Sequence, residues 1–225
     1  MIILSWLQKK SYKQLKEKNK PHEFGDDLFK ASNFLTPILW QSINDIILGA
    51  RKIMKFLKDI AKLVASENLP VTWTTPLGLP VQMMCYKKES KRVKTKMGDS
   101  IIKLSIQSDT EVIDRRKTAQ SICPNFIHSL DASVLQLAVV IAHKEGVTNF
   151  SLIHDSFGSV APDTAVLSKA IREAFCKIYK DDVLLNFAVE MKAMCSSKNQ
   201  AKFPNIPEKG NLDLDLVKQS VFFCV

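Results

Sequence analysis

The chain has 225 residues, 46% apolar and 24% charged, with a formal net charge of +9 and a pI near 9.3. That length holds one or two domains with a sizeable core, and the basic balance points to a polyanionic partner, nucleic acid or an anionic membrane surface. Five cysteines, an odd number without C-x-x-C spacing, exclude a complete disulfide framework and a zinc ribbon and fit a reducing compartment.

No uninterrupted apolar run reaches the roughly 18 residues that span a bilayer, so no membrane partner is expected. The N-terminus, MIILSWLQKK, is apolar first and basic second. That order is the reverse of a secretory signal, and the Arg- and Ser-rich composition of a mitochondrial presequence is absent.

Residues 8–20, QKKSYKQLKEKNK, are lysine-rich and read as a solvated face or a basic arm, with 1–27 as one segment and 28–225 as the next. Asp26 or Asp27 is placed to cap a helix opening at Leu28. A long helix is predicted over 35–66, with Pro37 near its first turn. Leu39, Ile43, Ile46, Ile47, Ala50, Ile53, Met54, Leu57, Ala61 and Val64 recur at helical spacing. Arg51, Lys52, Lys55, Lys58 and Lys62 lie off that stripe, toward solvent or a phosphate backbone.

Residues 71–86, VTWTTPLGLPVQMMCY, read as a hairpin: a β-rich run, turn chemistry, then a second strand. Residues 87–98, KKESKRVKTKMG, read as a basic loop in which Lys91, Arg92 and Lys94 meet either phosphate or water. IIKLSI, 101–106, is a candidate third strand. Pro124 is expected to block a helix upstream of His128, so a helix is predicted over 128–144. His128 and Asp131 then share its first turn, where the Asp also suits the helix dipole. Helices follow over 163–180 and 182–196. FPNIPEKGN, 203–211, is a linker. A short helix and an apolar tail, predicted to dock into a core, end the chain.

The densest stretch is 147–160, VTNFSLIHDSFGSV. Two short apolar runs are split by His154 and Asp155 and closed by Gly158, the pattern of a tight hairpin. A carboxylate on such a turn has a well-fixed backbone, which a metal ligand needs. Asp155 is therefore a candidate Mg²⁺ ligand; the alternative reading of this stretch is a surface Asp that stabilises a turn.

Four stretches in order, VTWTTPLGLPVQ (71–82), CPNFIHSLDAS (123–133), LIHDSFGSVAPD (152–163) and KGNLDLDLVKQSVFF (209–223), resemble the C-terminal part of the single-subunit, phage-type RNA polymerases. The mitochondrial and mitochondrial-plasmid enzymes look closest. The resemblance implies an α+β fold, the C-terminal palm/fingers portion of a right-hand polymerase, mostly helical with a small antiparallel sheet. Helices 35–66 and 128–144 should pack on that sheet, and the 149–160 hairpin should supply two of its strands.

The resemblance also implies transcription: templated, Mg²⁺-dependent nucleotidyl transfer on a DNA template with nascent RNA and ribonucleoside triphosphates, in the mitochondrion. Asp155 falls on the family's second catalytic aspartate, one of the carboxylates holding two ions about 3.5–4 Å apart. Hard Mg²⁺ takes oxygen ligands, so His154 is read as a neighbour beside the nucleic acid. Asn125, His128 and Asp131 fall on a motif that contacts the paired end of template and RNA.

The family's first catalytic aspartate, in an Asp-Gly motif, has no counterpart, because the chain contains no Asp-Gly. The triphosphate-binding lysine with its Tyr-Gly pair is also absent. The expectation is a C-terminal piece, inactive alone and completed by a missing N-terminal polymerase portion. The alternatives are a non-catalytic nucleic-acid-binding module or a truncated remnant.

Overall fold

The computed structural model describes residues 28–98, 100–220 and 223. The lysine run 8–20 and the proposed caps Asp26 and Asp27 lie outside the described residues. The chain divides into two compact units, Met1–Lys52 and Ile53–Val225.

In the first unit, helix α1 runs Leu28–Ile46. It ends one residue before α2, Leu48–Ser66, so the single helix expected over 35–66 is two. Ile47 N–H still donates to Ile43 O at 2.9 Å, and Arg51 N–H to Ile47 O at 3.2 Å. Because α1 opens at Leu28, Pro37 is interior rather than near the first turn. Its missing N–H removes the helical donor to the Asn33 carbonyl; one residue earlier, Thr36 Oγ1 donates to Ser32 O at 2.6 Å.

The second unit begins with the rest of α2, whose apolar stripe buries Phe56, Leu57, Ile60, Ala61, Val64 and Ala65. Strands β1 (Val71–Thr74) and β2 (Pro80–Met83) form the expected first hairpin. Strands β3 (Tyr86–Met97) and β4 (Ser100–Ile113) form a long antiparallel ribbon. The basic loop expected at 87–98 is therefore a strand. Its signal was the glycine at 98 between two runs with β-branched residues: Met97 pairs with Ser100, and Gly98 has φ +63°.

Helix α3 spans Arg115–Lys144, with Pro124 inside it. The prediction that Pro124 blocks a helix upstream is overturned. An interior proline costs about 3 kcal/mol. The turns before it bury Thr118, Ala119, Ile122 and Cys123, and fully burying one isoleucine contributes about 1.5–3 kcal/mol. Asp114 caps the start, its carboxylate accepting from Lys117 N–H at 3.0 Å. By length and composition α3 could also cross a membrane, because scattered polar residues do not offset its apolar ones. Here it is the spine on which both cores are built.

The first core gathers α2, the β1–β2 hairpin, the first half of α3 and α5 (Val183–Met194). Trp73, Phe126 and Phe187 form its aromatic centre, with centroids 4.9–6.2 Å apart. The second core gathers the later half of α3, α4 (Thr164–Lys180) and the hairpin β5 (Phe150–Ile153) and β6 (Ser156–Ser159). Short helices α6 (Ser197–Gln200) and α7 (Leu214–Gln219) follow. Of the apolar tail, Phe223 meets Phe175 edge to face at 5.1 Å and lies under the Arg172 guanidinium, docked as expected.

The architecture is α+β, helix-rich with small antiparallel sheets. The expectation of one sheet receiving the 149–160 hairpin is corrected: among the described residues there are three separate two-stranded sheets. The two short hairpins each turn their apolar side chains against helices rather than joining a common sheet.

Candidate active site

The β5–β6 hairpin places Asp155. Ile153 pairs with Ser156, which closes a two-residue turn of His154 and Asp155. His154 adopts φ +55°, the left-handed conformation that two-residue hairpin turns require and that few non-glycine residues accept. Phe150 and Phe157 hold the strands against the second core. Gly158 lets the strands close: a Cβ there would lie 3.2 Å from Ser151 O and 3.3 Å from Ser151 Cβ.

Asp155 and His154 are both exposed at the tip. A hard carboxylate on an anchored turn, open to solvent, fits a Mg²⁺ ion as one ligand. It does not make a complete site, since no group of three His, Cys, Asp or Glu among the described residues is arranged to hold a metal.

A second feature forms where β1–β2 meets α3. A cleft of about 280 Å³ is lined by Trp73, Val81, Met83, Asn125, His128 and Gln136, among others. Trp73 Nε1–H donates to Ser129 Oγ at 3.0 Å, and Ser129 Oγ–H donates to Phe126 O at 2.7 Å. Asn125 Nδ2 donates to Met83 Sδ at 3.1 Å. Two motif stretches far apart in sequence thus build one wall. Trp73, Ser129 and Gln136 escaped sequence reasoning, because their role depends on that long-range contact.

Asp131 does not join the cleft. It is exposed near Tyr179 of α4; burial pushes the Tyr179 phenol up, and the Asp131 charge pushes it the same way. His128 and Asp131 were expected on the first turn of a helix. They lie in the middle of α3, where no helix N-terminus acts on Asp131.

The β3–β4 ribbon separates its basic residues by face, since side chains alternate along a strand. Arg92 and Lys94 share a face with Lys88, Lys96 and Lys103, the last directly opposite Lys94. Lys91 lies on the other face with Val93, Leu104 and Ile106. Arg92, Lys94 and Lys91 are all exposed. The ribbon is held at its base by Asn68, at φ +60°. Its Oδ1 accepts from Ile113 N–H at 2.7 Å and its Nδ2 donates to Glu111 O at 3.1 Å.

The sequence was compared with known proteins. The family model described as DNA-dependent RNA polymerase matches residues 6–202. DNA-directed RNA polymerase 2, chloroplastic/mitochondrial, of Arabidopsis thaliana is 36% identical over 213 residues, which cover 94% of this chain and 20% of that protein. DNA-directed RNA polymerase 1, mitochondrial, of the same plant is also 36% identical, covering 94% of the chain and 21% of the relative. DNA-directed RNA polymerase 2A of Nicotiana tabacum is 34% identical over 197 residues, 88% of the chain and 57% of that protein. The chain spans about a fifth of the length of the first two relatives. It therefore belongs to the DNA-dependent RNA polymerase family, of the single-subunit phage type, and corresponds to the C-terminal portion of those enzymes.

Proposed function

We propose that the chain is the C-terminal segment of an organellar transcribing enzyme that adds ribonucleotides to RNA on a DNA template, and that Asp155 is one of its Mg²⁺ ligands. The observation that carries this reading is the exposed Asp155 carboxylate at the tip of a turn anchored by Phe150 and Phe157. When bound, Mg²⁺ would stabilise charge developing on the attacking and leaving oxygens. Asp155 would hold the ion, and His154 would orient the turn beside the nucleic acid. Asn125 and His128 would meet the paired end of template and RNA from the cleft, with Asp131 on the flank of α3. Arg92 and Lys94 would contact phosphate, and Lys91 would serve the other face of the ribbon. Residues 1–27 would act as a basic arm.

One carboxylate cannot hold two ions, so the chain alone is expected to be inactive and to need the remaining polymerase portion. The experiment supplies the purified chain with a matching N-terminal polymerase fragment and follows primer extension on a templated RNA primer. Activity should appear only in the mixture. Asp155→Asn should abolish it, because the amide keeps the shape and loses the charge, while His154→Ala should reduce it less. Extension by the chain alone, or full activity with Asp155→Asn, would overturn the assignment.

The exposed basic face of the ribbon favours a second reading, a nucleic-acid-binding module without catalysis. Salt-sensitive binding that persists while no fragment restores extension selects it.

A further inference from the structure

We infer that helix α1, Leu28–Ile46, is an interaction surface, and that its partner is polypeptide: the part of a DNA-dependent RNA polymerase outside the region this chain matches. The inference rests on membership of the family and does not depend on the metal assignment of Asp155.

The helix has too much apolar surface for a solvated element. At about 100° per residue, its apolar positions sweep roughly two-thirds of the circumference, against the ~100° stripe of an ordinary surface helix. Phe29 is 65% exposed, Phe34 69%, Trp40 60% and Ile46 80%. Ile38, Leu39 and Ile43 between them are also exposed. A contiguous patch of this kind marks an interaction site.

The chemistry of the helix narrows the partner. Its charged residues are Lys30 and Asp45, which cancel, so a polyanion gains nothing there. A helix lying in a membrane interface presents a polar face rich in Lys and Arg; this one presents Asn33, Gln41 and a single lysine, Lys30. Phe34 and Ile38 project on one flank, and Phe29 and Trp40 on nearly the opposite one. One self-complementary contact with a second copy would cover one flank and leave the other wet.

Two apolar layers, one against each flank, describe the interior of a larger domain. The family match begins at residue 6, so α1 lies within the family domain, and the Arabidopsis relatives extend far beyond the matched region. That remaining polypeptide supplies the length and chemistry to cover both flanks.

The test uses the full chain and a fragment of Arabidopsis DNA-directed RNA polymerase 2 ending where its match to this chain begins. Association is measured by co-purification and titration, without nucleic acid. The wild-type chain should bind, Phe34→Asp with Trp40→Asp should weaken binding at least tenfold, and Lys30→Gln, on the polar arc, should leave it within twofold. Unchanged circular dichroism and unchanged salt-dependent DNA binding would show that the double variant is folded. Should it not fold, a photo-crosslinker at position 34 or 40 of the otherwise wild-type chain should capture the fragment, and one at position 30 should not. Failure of the wild-type chain to bind overturns the inference. So does unaltered affinity in the double variant, or a self-dimer or phosphatidylcholine-vesicle complex dissolved by the same substitutions while fragment binding persists. Association without primer extension would support this surface and count only against the catalytic reading.

Discussion

Two hairpins, β5–β6 and β3–β4, turn through two residues, and they use their side chains in opposite ways. The short one spends Phe150 and Phe157 on the second core and carries His154 and Asp155 at its exposed tip. The long one leaves both faces in water and is fastened at its base, by Asn68 and the buried Ile113. A packed hairpin holds a side chain to the tolerance a metal ligand needs, whereas a free ribbon supplies adaptable charge. Local pairing alone does not distinguish them; the helix beneath one of them does.

The contrast breaks most readily at the anchors. Phe157→Ala should lower stability by about 2 kcal/mol, below the ~3–5 of a fully buried phenylalanine because this ring is half-buried. Val93→Ala on the ribbon should stay within about 0.5 kcal/mol. Urea denaturation of the two variants measures the difference, and equal losses would show that the ribbon is packed as well.

The glycines sharpen the same point. Gly158→Ala should cost about 1–2 kcal/mol of global stability, because its methyl would press on Ser151 in an anchored strand. Gly98→Ala should strain the ribbon turn by a similar ~1–2 kcal/mol through its positive φ, with no steric conflict. Its effect should appear as faster amide exchange in the ribbon with an unchanged global unfolding midpoint.

The faces of the ribbon are separable by salt. Arg92→Ala and Lys94→Ala should each flatten the slope of log affinity against log salt for duplex DNA by about 0.9. Lys91→Ala, on the other face, should change it less. Equal effects at all three positions would mean that nucleic acid wraps the ribbon rather than lying on one side.

The smallest expected effect lies outside both hairpins, at the clip between α2 and α6. Glu67 is held below the usual carboxylate range, first by the Ser196 hydroxyl at 2.5 Å and then by the Ser196 backbone N–H at 3.0 Å. A depressed folded-state pKa contributes stability above the unfolded value, which is lost as pH falls through the folded one. Glu67→Gln should therefore lose that small contribution at neutral pH, flatten the acid limb of stability below about pH 4.3, and converge with the wild-type chain once the carboxyl is protonated. An unaltered acid limb in thermal melts would remove the clip from the account.

Sequence by itself determined what depends on neighbours in the chain. The runs around His154 and Asp155 specified a hairpin tip, helical spacing specified 163–180, and the motif stretches specified the family. Tertiary structure decided what depends on distant partners. Pro124 sits inside α3 because the turns before it bury Ile122 and Cys123 against the first core, a gain that no local rule contains. Trp73 and Ser129 meet across 56 residues to build the cleft wall; on the continuous helix α3, Asn125 and His128 share that face and Asp131 lies off it. The candidate strand at 101–106 lies within β4, but its partner at 86–97 was read as a loop for a related reason. Six basic residues in ten resemble a solvated loop, while backbone pairing across the Gly98 turn is indifferent to side-chain charge. Burial is a property of the assembled chain, so propensity prevails where nothing packs and yields where something does.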